Sequence, residues 1–84
     1  MIKQMSKMDF STYINQLEES DRENGTNMLE VYAERSGTSV GYIKAHLKHR
    51  YKIPRQELMR ALAENSDGAF SYEDLVRWFY QLVA

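Results

Sequence analysis

The sequence predicts an all-α domain of five helices, and three observations support this fold class. Apolar residues recur at helical spacing, first as Phe10, Tyr13, Ile14 and Leu17. Stretches rich in Asp, Asn, Ser and Gly separate such segments. The 84 residues, of which 43% are apolar and 27% charged, are typical of one globular domain. Four of the predicted helices span residues 10–19, 28–35, 39–49 and 72–83. The remaining helix, fourth along the chain, begins at residue 54 and is ended by residues 66–68.

Short polar side chains stand where the predicted helices begin, and such residues accept hydrogen bonds from first-turn amides. The candidate caps are Asp9, Thr26 or Asn27, Ser39 or Thr38, and Ser71 with Asp74 as a capping box. Pro54 fits the first position of the fourth helix, because an amide hydrogen there would have no helical partner. These signals place the helix starts.

The segments between and before the helices are predicted from composition. Residues 20–27 carry Asp, Asn and Gly and are predicted to form a loop. Ala69 and Phe70 are predicted to be briefly extended. Residues 1–7 have no clear period, and we expect them to be frayed. Residues 1–84 are therefore predicted to form a single domain.

The stretch LEVYAERSGTSVGYIKAHLK, residues 29–48, predicts two short helices joined by a tight turn at residues 36–38. Gly37 lies where the chain needs a positive φ, which glycine adopts without a β-carbon clash. Ala33 must be small because the following helix crosses close to it. Ile43 comes six residues after Gly37, on the inward face. This spacing is that of a DNA-binding helix-turn-helix.

The sequence around this motif resembles the Cro-like phage regulators and, within them, the small YdaS-type proteins, over roughly residues 8–75. The resemblance rests on MDFSTYINQL as opening helix, AERSGTSVGYIK across the turn, IPRQELMRALAENSDG as following helix and AFSYEDL as its exit. It implies a Cro/repressor-like helix-turn-helix domain. It also implies a sequence-specific DNA-binding transcriptional regulator of phage or prophage type, which we expect to be a repressor.

The charge distribution agrees with a DNA-binding role, although the net charge of −1 is not that of a strongly basic protein. From Glu18 to Glu34 there are six acidic residues and one basic residue. From Lys44 to Arg60 there are six basic residues and one acidic residue. The basic half coincides with the third helix and the loop after it, where phosphates would lie. The alternative is ordinary charge scatter on a solvated surface.

The outward face of the third helix combines small residues with two lysines, which suits entry into the major groove. The candidate DNA-binding residues are Ser39, Val40, Gly41, Lys44, Ala45, Lys48, Arg50, Lys52 and Arg55. Lys44 and Lys48 lie one turn apart, are expected to face solvent, and could contact base edges or phosphates. The alternative for the two lysines is a solvated helix face.

The other candidates have distinct roles. Ser39 can cap the helix and donate to a phosphate or a base edge. Val40 can either touch a thymine methyl group or be a partly buried turn residue. The basic residues after the helix are expected to hold the DNA backbone, which adds affinity without sequence information, and they are Arg50, Lys52 and Arg55.

Catalysis and metal binding have little support in the sequence, so we expect neither an enzyme nor a cofactor. The acidic residues from position 18 to 23 lie close together in the sequence, are expected to be exposed, and have no apolar wall to shift a pKa. No catalytic triad order or glycine-rich phosphate loop is present. His46 and His49 are spaced to hold a metal, but no third ligand accompanies them, and the chain has no cysteine.

The last predicted helix is apolar on more than one face. One stripe can pack on the domain, namely Leu75, Trp78, Phe79 and Leu82. The remaining apolar residues, Val76, Tyr80 and Val83, need another cover. We expect a homodimer or partner-protein interface there, because so small a domain offers little room to bury both sides. The alternative is a helix sandwiched within the fold.

Two function classes remain open. The first is a homodimeric regulator that binds a palindromic operator in double-stranded DNA. The second is a module that keeps the helix-turn-helix fold but inhibits or sequesters a host protein. The near-neutral charge, the acidic stretch at residues 18–23 and the apolar C-terminus favour the second.

No apolar run approaches the ~18–20 residues of a membrane span and no signal peptide is visible, so the expected location is the host cytoplasm or nucleoid.

Overall fold

A computed structural model describes residues 8–81 of the chain, and in these residues there are five helices and no strand. The helices are α1 (Phe10–Asn24), α2 (Met28–Ser36), α3 (Val40–Tyr42, continuing as a π-helical turn, Ile43–Leu47), α4 (Gln56–Glu64) and α5 (Tyr72–Phe79). The predicted all-α class and the five helices are confirmed. Residues 1–7, expected to be frayed, lie outside the described residues, as do Leu82 and Val83. None of the described helices has the length and apolarity required to cross a membrane.

Helix α1 is longer than predicted, because residues 20–24 are helical rather than part of a loop. Its start is as predicted, with Asp9 Oδ1 accepting a hydrogen bond from the Thr12 amide at 2.8 Å. Its end is set by Gly25, whose φ of 68° only glycine adopts readily. The Gly25 amide donates to the Asp21 carbonyl, which closes the last turn.

The polar composition of residues 20–24 predicted a loop, but one of these polar residues, Asp21, is helical and accepts hydrogen bonds from the start of the next helix. Its carboxylate accepts hydrogen bonds from the amides of Met28 at 2.7 Å and Leu29 at 3.0 Å. It also accepts one from the Thr26 hydroxyl at 2.6 Å. Asp21 therefore caps α2 from the last turn of α1. Of the two predicted caps of α2, Asn27 does stand at the cap position, but its side chain makes no capping hydrogen bond within the described residues.

Replacing Asp21 with asparagine is expected to lower stability near neutral pH. The Leu29 amide, then the Thr26 hydroxyl and the Met28 amide, hold the pKa of the Asp21 carboxyl below its usual value. A depressed folded-state pKa adds stability above the unfolded pKa, and this stability is lost as pH falls through the folded value. Urea melts should therefore show a lower midpoint for Asp21→Asn, and the deficit should shrink in acid. Glu23→Gln, the same charge change at an exposed position, is the control, and equal midpoints for the two variants would contradict the capping role.

Helix α4 begins later than predicted. Pro54 is buried and precedes the helix, because Arg55 takes an extended backbone with φ −63° and ψ 159°. The first helical residue is therefore Gln56. The predicted end is correct, since a turn at residues 65–68 follows α4.

Helix α5 begins as predicted and ends early. The Ser71 hydroxyl accepts from the Asp74 amide at 3.1 Å, and the Asp74 carboxylate accepts from the Ser71 amide at 3.0 Å. This is the predicted capping box. The helix stops at Phe79 because Gln81 has a left-handed backbone with φ 56°, so the predicted end at Val83 is wrong.

One apolar core joins the helices. Its buried members are Phe10, Ile14, Leu17, Leu29, Tyr32, Ala33, Ile43, Leu47, Met59, Leu62, Ala63, Phe70, Leu75 and Phe79. The centroid of the Phe10 ring lies 6.0 Å from that of Phe70, 5.8 Å from that of Trp78 and 5.5 Å from that of Phe79. The buried Tyr32 hydroxyl donates to the Leu62 carbonyl at 2.7 Å. This core fixes α1 and the α2–α3 pair relative to each other.

Candidate nucleic-acid interface

The α2–α3 turn has the conformation that the sequence spacing predicts. Gly37 is left-handed with φ 87°, and its amide donates to the carbonyls of Ala33 and Glu34. The Thr38 amide also reaches the Ala33 carbonyl, at 2.9 Å. Ser39 caps α3, its hydroxyl accepting from the Tyr42 amide at 3.1 Å. The predicted turn, the Ser39 cap and the small buried residue at Ala33 are confirmed.

Replacing Gly37 with valine is expected to cost about 1–2 kcal/mol or more, because a β-branched residue resists the left-handed conformation. A β-carbon there would meet no atom within 4 Å, so the cost is one of backbone conformation rather than space. Gly41→Ala is the matched control, since Gly41 is helical and has equal room. It should stabilise the fold by up to about 1 kcal/mol. Thermal melts in which both variants behave alike would contradict a strained turn.

The second helix of this pair is not a regular α-helix. After α3 the chain widens into a π-helical turn, in which the Lys48 amide donates to the Ile43 carbonyl at 2.7 Å. Ile43 and Leu47 are both fully buried and anchor this turn to the core. The predicted helix over residues 39–49 is therefore shorter, and residues 48–50 form a turn. Single π-helical turns occur often at functional sites.

Most of the predicted DNA-binding residues share the exposed surface around this helix. The exposed ones are Ser39, Gly41, Lys44, Ala45, Lys52 and Arg55. Val40 is half-buried against the core, as in the second of its two interpretations. Lys48 and Arg50 are also half-buried, and both contact other helices.

Glu18 of α1 lies between the two lysines of the α3–π segment. Its carboxylate forms an ion pair with Lys44, and its second oxygen lies 3.9 Å from the Lys48 ammonium. The side chains of Lys44, Lys48 and Glu18 are 46%, 17% and 27% exposed. The prediction that both lysines face solvent is therefore wrong for Lys48, which packs towards α1. The expected exposure of the acidic stretch is wrong for Glu18.

The charges around Glu18 keep it ionised. The hydrogen bond from Lys44 is the main cause that lowers the pKa of the Glu18 carboxyl. Partial burial opposes this shift, while the positive charges of Lys44, Lys48 and Arg22 add to it. The two lysines thus have an anionic partner within the protein.

Arg50 also has an internal partner. Its guanidinium carbon lies 4.1 Å from the centroid of the Trp78 ring, a distance typical of cation–π contact. Its Nε is buried and has no hydrogen-bond partner among residues 8–81. Arg50 reaches this position because its backbone is left-handed, with φ 61°. The side chain therefore joins the end of the π-helical turn to α5.

Aromatic side chains border the same surface beside His46 and His49, and one of them, Tyr51, was not singled out from the sequence. Tyr51 is 74% exposed and its ring lies 5.8 Å from that of His49. The rings of Tyr42 and His46 lie 5.0 Å apart. The sequence does contain a signal for Tyr51, because an aromatic residue stands there directly before the basic Lys52 in the loop after the third helix. His46 and His49 belong to no group of three metal-capable side chains within residues 8–81.

A separate apolar groove lies between α1 and α2. Tyr13, Leu17, Met28, Val31 and Tyr32 line it, with Arg35, Asn65 and Asp67 at its polar end. It encloses about 190 Å³, and Met28 and Val31 are exposed. This groove is away from the residues of the α3–π segment.

The two predicted dimer residues that the structure describes differ in exposure. Val76 is half-buried and packs on the core, whereas Tyr80 is 55% exposed. Val83 lies outside the described residues. The predicted inner stripe is confirmed at Leu75 and Phe79, which are buried, and Trp78 packs partly against the core.

Comparison of the chain with protein-family models, with curated proteins and with solved structures finds no match. The function is therefore inferred from the geometry and charge described above.

Proposed function

We propose that the protein is a sequence-specific DNA-binding transcriptional regulator of the Cro-like phage or prophage type, acting as a repressor. The observation that carries the proposal is the turn at Gly37. With Gly37 left-handed, Ser39 capping and Ala33 buried, the turn presents an exposed row of small residues on the next helix. This combination would suit a helix-turn-helix whose second helix enters the major groove.

The exposed row suggests how the contact would form. Gly41 and Ala45 carry no bulk that would hold the helix away from the bases. Lys44 would donate to the O6 and N7 acceptors of guanine. Lys52 and Arg55 are exposed beside the helix and would neutralise phosphates, which position the protein without reading sequence.

Selection of bound sequences from random duplex DNA tests the proposal, followed by fluorescence anisotropy of the enriched duplex over a series of salt concentrations. We expect a common sequence to be enriched. With Lys52 and Arg55 on phosphates, log affinity should fall with log salt at a slope of about −1.8 per protomer. No enrichment, together with salt-independent or absent binding, would contradict DNA recognition.

A protein-binding inhibitor is the second candidate, and the groove between α1 and α2 favours it. Met28 and Val31 expose apolar surface there, while Glu18 neutralises two of the basic residues of the candidate nucleic-acid interface. A stable complex with a host protein, lost in Met28→Asp and Val31→Asp variants and accompanied by no DNA affinity, would favour this function. Retention of the complex in both variants would exclude the groove.

The regulator proposal includes a homodimer formed through the end of α5. Tyr80 supplies the exposed apolar surface, and a two-fold axis would set two α3 helices about 34 Å apart for a palindromic operator. Tyr80→Glu is expected to sediment as a folded monomer with weakened operator binding, whereas the native chain sediments as a dimer. Tyr51→Glu, an exposed tyrosine outside α5, is the control for the sedimentation measurement. A monomeric native chain at tens of micromolar would remove this interface.

A further inference from the structure

We propose that Glu18 occupies the position of a DNA phosphate on Lys44 and Lys48 and thereby limits how tightly the protein holds any duplex. This inference rests on the DNA binding proposed above. It makes Glu18, a residue of α1 outside the helix-turn-helix, an affinity-determining residue of the interface. No feature of the motif itself indicates such a competitor.

The core holds the carboxylate in place. Glu18 follows Leu17, and Ile14 lies one helical turn before it, and both of these apolar side chains are buried. Helix α1 therefore cannot rotate without exposing them. Glu18 is consequently fixed on the side of α1 that faces the α3–π segment.

The geometry of the pair matches that of a bridging phosphate. Oε2 contacts the Lys44 ammonium, and Oε1 lies 3.9 Å from the Lys48 ammonium. Two anionic oxygens on one centre thus hold two ammonium groups one helical turn apart. A DNA phosphate offers the same arrangement, so the carboxylate and the phosphate compete for the same partners.

Release of the lysines opposes complex formation in two ways. First, the contacts with Glu18 are lost. Salt screens the interaction between Glu18 and Lys48 less than that of a fully exposed pair, because Lys48 is only 17% exposed. The freed carboxylate then faces phosphates of the same sign, at a charge density of about one charge per 1.7 Å of duplex. A lowered pKa of the Glu18 carboxyl agrees with its remaining charged near neutral pH.

The competition also changes the salt dependence. A lysine that passes from solvent to a phosphate releases a counterion from DNA, which steepens the dependence of affinity on salt. When the lysine leaves Glu18, the freed carboxylate acquires its own counterion. The net release of counterions on DNA binding is therefore smaller. Affinity consequently falls less steeply with salt than it would if the lysines had no partner in the free protein.

The test compares Glu18→Gln with Glu19→Gln, which makes the same charge change at the neighbouring exposed position. Anisotropy is measured with mixed-sequence duplexes over a series of low salt concentrations. We expect Glu18→Gln to bind about two- to fivefold more tightly, the range of a partly exposed ion pair. Its salt slope should steepen by about 0.9, whereas that of Glu19→Gln should stay close to the native slope.

Two further variants separate position from net charge. Glu18→Asp keeps the charge but withdraws the carboxylate, so its affinity should lie between those of the native chain and Glu18→Gln. In a Lys44→Ala, Lys48→Ala background, Glu18→Gln should gain less affinity than it gains in the native chain, because only the repulsion between the Glu18 carboxylate and the phosphates is left to remove. Far-UV circular dichroism confirms that each variant is folded.

The outcomes distinguish this inference from the proposed function. Native binding with equal gains for Glu18→Gln and Glu19→Gln would overturn the role of Glu18 and leave DNA binding intact. No binding by the native chain or by any variant, even at low salt, would overturn both. Binding by Glu18→Gln but not by the native chain would support both.

Discussion

Replacing Phe10 with alanine is expected to remove most of the free energy of unfolding at room temperature. Phe10 is fully buried, and its ring packs against Phe70, Trp78 and Phe79, so that it joins the start of α1 to α5. Truncation of a buried phenylalanine costs about 3–5 kcal/mol. A domain of this size has a total stability of about 5 kcal/mol or somewhat more.

Circular dichroism during a urea titration measures this effect. Tyr51→Ala is the control, because Tyr51 is 74% exposed and its truncation should change the free energy of unfolding by less than about 0.5 kcal/mol. Phe10→Leu should fall between the two, since it retains most of the apolar volume. Native-like melting of Phe10→Ala would mean that the aromatic cluster is not central to the core.

Replacing both Lys44 and Lys48 with alanine is expected to produce the largest loss of operator affinity. Each good contact with a base edge is worth about 1–3 kcal/mol. Because Glu18 already holds both lysines in the free protein, the net loss should lie near the low end, at roughly a hundredfold for the pair. The fold should persist, since neither lysine belongs to the core.

The control for the lysine pair removes the same charge elsewhere. Arg60→Ala combined with Arg77→Ala changes exposed residues of α4 and α5, outside the α2–α3 pair, and should reduce operator affinity far less. Lys52→Ala provides a second comparison. It should lower affinity about equally for all duplexes and make the salt slope shallower by about 0.9. Unchanged operator affinity in the lysine variant would show that the wrong helix was assigned to the major groove.

Features that depend on neighbours in the chain were predictable from the sequence alone. The Asp9 cap, the Ser39 cap and the Ser71–Asp74 capping box each involve residues within one helical turn. The left-handed turn at Gly37 likewise follows from local backbone sterics. The helical period of the apolar residues identified the buried stripe of α1 and hence the all-α class.

Features that depend on contacts between distant segments were decided only by the tertiary structure. The sequence predicts Asp21 to be a loop residue, but it caps α2 because the chain reverses at Gly25. The stacking of Arg50 on Trp78 requires α5 to return to the end of the π-helical turn. No local propensity encodes either contact.

The candidate interface shows the same division. Helical spacing predicted the exposed positions Gly41, Lys44 and Ala45 of the third helix correctly, because it sets the faces of a helix. It misassigned the half-buried Lys48. The charge of that surface was decided by packing, which brings Glu18 of α1 onto Lys44 and Lys48. Ionic interactions act across space rather than along the chain. Composition therefore determined a basic segment, and only the packing of α1 against the α3–π segment determined that two of its charges are already paired.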